Sequence, residues 1–169
     1  RCLSRGLGDV YKRQIKSTWN KIIDAAEKHN DPGKFTTFIA YEYSPTLPDG
    51  GYNHRNVIFK NNTVPEKAFS LFDAHTALDL WKKLLSSCNY PCEFMTIPHN
   101  SNRSWGVAFA NQTIDGDDYT EADWALRDKN EPIVEMFQIK GNSECSTFFG
   151  STDEELSLIH ISEPTRQAS

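Results

Sequence analysis

Apolar positions along the chain follow two alternating periods. From Ile15 to Asn30, Trp19, Ile22, Ile23 and Ala26 recur at helical spacing with Lys and Glu between them, which predicts an amphipathic helix. Asp31-Pro32-Gly33 stops it, because proline cannot extend the hydrogen-bond ladder and glycine admits the turn. Phe35 to Tyr43 predicts a strand with Phe38, Ile39 and Ala40 at its buried centre. Leu47-Pro48-Asp49-Gly50-Gly51 is turn chemistry, and Asn53 to Lys60 predicts a second strand close enough for a hairpin-like excursion. Thr76 to Ser87 predicts a helix capped by Asp73 or Thr76, with Leu78, Trp81, Leu84 and Leu85 on its apolar face. Glu93 to Ile97 is the next strand, halted by Pro98. A polar loop runs to about Tyr119; Thr120 to Lys129 then predicts a short helix facing inward through Ala122, Trp124 and Leu126, and Pro132 to Ile139 a last strand.

Helices alternating with strands argue for an α/β architecture with a largely parallel sheet. Ligands in such folds bind beyond the carboxyl ends of strands. Three expected strand ends therefore matter: Glu42 in Ala40-Tyr41-Glu42-Tyr43-Ser44, His99 in Thr96-Ile97-Pro98-His99-Asn100-Ser101-Asn102, and the Gly141 loop. A carboxylate closing an apolar strand must be paired, protonated or metal-bound. Glu42 and His99 are accordingly read as metal ligands, with Asn100, Ser101 and Asn102 available to fix the imidazole tautomer. The plainer alternatives are a Glu42 held by Tyr41 or Tyr43 and a His99 that is only hydrogen-bonded. His54 begins its strand instead of ending it, so it is either a third ligand or a hydrogen-bonding residue of the hairpin. Glu135, mid-strand, could support a ligand, whereas His29 and His75 have structural settings. Lys140 and Arg103 are the cations placed to hold an anionic group, and Glu144 sits where a substrate would arrive.

Composition narrows the chemistry. The formal net charge of −5 argues against a nucleic-acid backbone as partner. No run is apolar enough for a membrane helix. No nucleophilic serine elbow, phosphate-cradling glycine motif or dinucleotide fingerprint is present. Oxygen and nitrogen donors of the His/Glu kind suit zinc, manganese or iron. Cys88-Asn89-Tyr90-Pro91-Cys92 lacks a second Cys pair and so does not predict structural zinc; a short disulfide loop and two thiols both remain open, and with them the redox compartment.

The termini differ in character. Ser4 to Gln14 can be encoded by a DNA string whose reverse complement reads, in frame, Leu156 to Arg166. The pair resembles a transposon adapter used in preparing sequencing libraries. Residues 1–14 and 156–169 are therefore expected to be adapter-derived, and 15–155 to be part of one domain of a longer protein. Without the Lys and Arg of those segments the remainder is more acidic still.

Taken in order, Phe35-Thr36-Thr37-Phe38-Ile39-Ala40-Tyr41-Glu42-Tyr43-Ser44, His54-Arg55-Asn56-Val57, Ile97-Pro98-His99-Asn100-Ser101-Asn102 and Gln138-Ile139-Lys140-Gly141-Asn142-Ser143-Glu144 resemble successive motifs of a bacterial family, the domain of unknown function numbered 3604. That family is related to the polymerase and histidinol phosphatase (PHP) superfamily. The resemblance implies a fragment of a distorted PHP-like, TIM-like α/β barrel and a metal-dependent phosphoesterase with two or three divalent ions in the complete site. Glu42 would match the superfamily's early strand-end Glu and His99 its His before a polar turn. The His-x-His and Asp-His ligands would precede Ile15, and the Asp-x-His would follow Glu155. The expected function is hydrolysis of a small, phosphorylated molecule by metal-activated water. The alternative is a module on the same barrel that binds an anion or carbohydrate without turnover, and the fragment alone is expected to be inactive. A periplasmic or secreted parent is compatible with these features, which do not fix its location.

Overall fold

In a computed structural model, the described residues are 3–45, 51–104, 106–113, 115–139 and 141–143, with side chains from Arg13 onward. The first helix, α1 (Leu3–His29), runs further back than its apolar stripe predicts. Trp19 anchors it to the sheet. The residue is 1% exposed, its indole N–H donates to the Pro65 carbonyl at 2.9 Å, and its ring meets Tyr41 edge-on at 5.5 Å. Ile23 and Ala26 pack partly buried around it, while Ile22 lies at the exposed rim.

Three strands follow: β1 (Ile39–Tyr43), β2 (Arg55–Phe59) and β3 (Phe94–Pro98). They form a sheet in that order with both pairings antiparallel, Tyr43 opposite Arg55 and Arg55 opposite Pro98. The largely parallel sheet expected from the alternation of elements is not formed. The connection from β1 to β2 is too short for the crossover that parallel pairing requires. The reversed β2 then separates β1 and β3, which run in the same direction. The hairpin excursion expected here is present.

Strand alternation sorts the sheet into two faces. Ile39, Tyr41 and Tyr43 share one face with Arg55, Val57, Phe59, Phe94, Thr96 and Pro98. The helices cover it, and Ile39, Tyr43, Val57 and Phe59 are buried there with Trp19, Leu80 and Leu84. Phe38 falls on the other side of the strand's entry and is 58% exposed, so the expected buried centre shrinks to Ile39.

Helix α2 (Ala77–Ser87) starts at a capping box in which Thr76 and Asp79 satisfy each other's backbone N–H. It buries Leu78, Leu80, Trp81 and Leu84, but Leu85 faces solvent. The Trp81 indole donates to Thr96 Oγ1 at 2.9 Å, tying helix to sheet. Helix α3 (Glu121–Asn130) has the same cap from Thr120 and Asp123. Its inward side is polar: Asp123 and Asn130 are buried, Ala122 and Trp124 are exposed, and Leu126 is half-buried, contrary to the apolar face expected. The reason is a Lys82–Asp123 ion pair at 3.0 Å, which turns the Asp123 side toward α2.

The expected strand at 132–139 reduces to β4 (Phe137–Gln138), paired antiparallel with β5 (Gly141–Asn142). Residues 132–136 make no ladder, although Glu135 N–H donates to the Pro98 carbonyl at 3.0 Å. The turn expected at 47–51 falls, up to residue 50, outside the described residues. Cys88 and Cys92 form a disulfide. No helix among the described residues is long and apolar enough to cross a membrane.

Candidate metal centre

Glu42 is the penultimate residue of β1, His99 follows the end of β3, and His54 immediately precedes β2. Because β2 is reversed, its start lies beside the other two strands' ends. Parity places all three side chains on the face opposite Val57 and Phe59. Their ligand atoms lie within 4.8 Å of one another. Glu42 Oε1 accepts from His54 Nδ1 at 2.9 Å and from His99 Nε2 at 3.0 Å, and the imidazoles meet edge-to-face at 5.9 Å. The backbone continues the approach: His99 N–H donates to the His54 carbonyl at 3.3 Å.

Partial burial pushes the Glu42 carboxyl upward, but the hydrogen bond from His99 and then the charge and hydrogen bond of His54 outweigh it. The net effect holds the group below the usual glutamate value. An ionised carboxylate thus faces two imidazoles. When deprotonated, the same two nitrogens offer lone pairs toward that point. Two nitrogens and one oxygen fit a divalent ion of the zinc, manganese or iron type, and ligand atoms on a tetrahedral zinc stand about 3.3 Å apart. The separations from Glu42 are near that value and all three ligand atoms lie within 4.8 Å of one another, so the donor set could hold an ion.

The residues after His99 do not hold its ring as expected. His99 Nδ1 is buried without a hydrogen-bond partner, as are both ends of the Asn100 amide. The loop uses its polar groups to close on itself. Asn100 adopts the left-handed conformation (φ 56°) and its carbonyl accepts from Arg103 N–H at 2.9 Å, while Ser101 carbonyl accepts from Ser104 N–H at 3.0 Å. Asn102 N–H donates outward to Ser143 Oγ at 3.2 Å, docking the β5 loop beside the site. Gly141 sits there at φ 136°, where a Cβ would come within 2.9 Å of Asn102 Nδ2.

Arg103 is at the rim. Its guanidinium stacks on Tyr52 at 4.7 Å, and the Tyr52 ring lies 4.8 Å from that of His54. Tyr52 N–H donates to the Arg103 carbonyl at 2.8 Å, which fixes the loop to the entrance of β2. Lys140 and Glu144 lie outside the described residues. Glu135 reaches the same end of the sheet through its backbone but is not one of the convergent donors. His29 and His75 are exposed and take no part. Sequence reasoning missed Tyr52, which links Arg103 to His54, and Arg55, which is buried. Arg55 alternates with Val57 and Phe59, and that parity is the signal that could have placed it on the covered face.

Compared with known families, residues 5–166 match the model described as protein of unknown function (DUF3604), a span that enters both terminal segments. No curated protein and no solved structure matches the chain.

Proposed function

The chain belongs to the DUF3604 family, and we propose that it supplies one side of the metal centre of a hydrolase acting on phosphoester-like bonds. The observation that carries this reading is the convergence of Glu42 Oε1, His54 Nδ1 and His99 Nε2 at one end of one sheet face. Among the described residues the α-helices lie on the opposite face, which is compatible with a segment of a PHP-like barrel whose further ligands would come from other strands. A divalent ion held there supplies Lewis-acid activation of water and of the scissile ester.

The chain's own residues account for the rest. Glu42 brings the negative charge that neutralises part of the ion's charge, and His54 and His99 orient the donor set. Arg103 stands beyond Tyr52 with its guanidinium in no ion pair among the described residues, so it is available to an anionic substrate group and to charge developing on it. Lys140 and Glu144 are proposed for the same mouth from their place in the sequence beside Gly141, after the last expected strand.

Metal content and phosphoester hydrolysis, measured on the protein expressed from its complete reading frame, test the proposal. Bound zinc, manganese or iron with turnover that His99→Ala abolishes is the expected result. A metal-free, inactive protein indistinguishable from its His99→Ala variant refutes it. Bound metal with anion binding and no turnover would instead establish the binding module.

A further inference from the structure

Directly behind His54, on the covered face of β2, lies a buried charge network. The Arg55 and Glu131 side chains are 1% and 2% exposed, with Nε 2.7 Å from Oε2. Arg55 also donates to the Asn53 carbonyl at 3.1 Å, to the Asn53 side chain, and to the Ala108 carbonyl at 2.5 Å. Arg127 converges on the same acceptors, 3.4 Å from the Ala108 carbonyl and 3.4 Å from Glu131 Oε1. Thr96 Oγ1 donates to the Asn130 carbonyl at 3.0 Å and lies 3.2 Å from Glu131 Oε2.

Stability does not explain such an arrangement, because a buried ion pair rarely outperforms well-packed apolar residues of the same volume. Geometry does. A guanidinium presents donors in fixed directions, and here they grip three separate segments: the entrance to β2 at Asn53, the loop after His99 at Ala108, and the residue capping α3 at Glu131. Arg55–Pro98 is the last pair of the β2–β3 ladder. His54 and His99 stand one residue beyond it, joined by a single long backbone hydrogen bond, His99 N–H to the His54 carbonyl at 3.3 Å, with no further ladder pair to brace them. The loop that carries Arg103 begins at His99 and is held again at Ala108.

We propose that the Arg55–Glu131–Arg127 network is the positioning device of the site, fixing His54 against His99 from behind and anchoring the far end of the Arg103 loop. Its functional meaning rests on the metal-centre reading; its structural claim does not.

The double variant Arg55→Met/Glu131→Met removes the closest ion pair and leaves Arg127 to the Ala108 and Ala110 carbonyls. It is compared with the full wild-type chain by denaturation, Co²⁺ titration and imidazole NMR. The expected result is a near wild-type unfolding midpoint with Co²⁺ bound about 10–100-fold more weakly, the range for losing a group that orients a ligand. The His54 and His99 ring resonances shift, and those of His29 and His75 do not. A folded double variant with unchanged affinity and unchanged His54 and His99 resonances overturns the proposal. Should the double variant fail to fold, Arg55→Lys, which keeps the charge and loses the fork, is read by the same criteria. A wild-type chain that binds no Co²⁺ defeats the metal reading alone, and the ring resonances still decide the positioning role.

Discussion

The Glu42 side chain is 46% exposed, whereas those of His54 and His99, which it bridges, are 13% and 7% exposed. The carboxylate therefore contributes chemistry more than packing, and the two effects can be separated by substitution. Glu42→Gln keeps an acceptor oxygen but removes the charge. Divalent-metal affinity should fall by more than the roughly 10–100-fold expected for an outer partner, while the stability measured by urea denaturation falls by only about 1 kcal/mol, the worth of the imidazole hydrogen bonds it weakens. Comparable loss of both would mean that Glu42 is structural. Glu42 and His99 were legible because each closes an apolar strand with a donor side chain. His54 stayed ambiguous for a reason of direction: a residue that begins a strand joins two strand ends only if its strand is reversed. The tautomer-fixing role expected for Asn100, Ser101 and Asn102 is absent: the backbone turns tightly after His99, and His99 Nδ1 and the Asn100 amide are buried without hydrogen-bond partners.

At the scale of elements, Thr76, one of the two residues expected to cap α2, does so, and α3 carries the same box from Thr120 and Asp123, which sequence reasoning did not name. In α3 the Thr120 side chain, Lys82 and the Thr120 backbone hold the Asp123 carboxyl at about 2, well below its ordinary value. A depressed folded value means that this stabilisation is present above the unfolded pKa of about 3.9 and is lost as pH falls toward about 2. Asp123→Asn should therefore cost about 1 kcal/mol at neutral pH, and the gap from wild type should close between about pH 5 and pH 2. A gap independent of pH, in denaturant melts across that range, would rule out the carboxylate as its source. The inward face of α3 was misread because Asp123 and Asn130 are buried through an ion pair and a hydrogen bond to the Leu126 carbonyl, partners that hydrophobic periodicity cannot see. The strand expected at 132–139 failed for a related reason. Among the described residues, 132–136 find no neighbouring ladder, and Ile133, Phe137 and Ile139 remain exposed.

For the whole molecule, one residue links the long helix to the sheet that carries the site. Trp19 combines full burial, an indole hydrogen bond and contacts with Tyr41 and Phe59, residues on the face opposite Glu42. Trp19→Ala should cost about 3–5 kcal/mol, a large share of the stability of an ordinary domain, and should release the amides of α1 to hydrogen exchange before those of β2. Retained protection across α1 would show that the helix is held elsewhere. Exposed Leu85, part of the same expected apolar patterning, should be replaceable by Ala within about 0.5 kcal/mol.

By itself the sequence determined the order and type of the main helices and strands, that Glu42 and His99 lie at strand ends, and that the candidate donors there are an imidazole and a carboxylate. Those features depend on neighbours a few residues away, whose spacing is written in the chain. Tertiary structure decided the antiparallel order of the sheet, the arrival of His54 beside Glu42 and His99, and the burial of Arg55 against Glu131. These depend on strand direction and on pairs separated by dozens of residues, which no local period encodes.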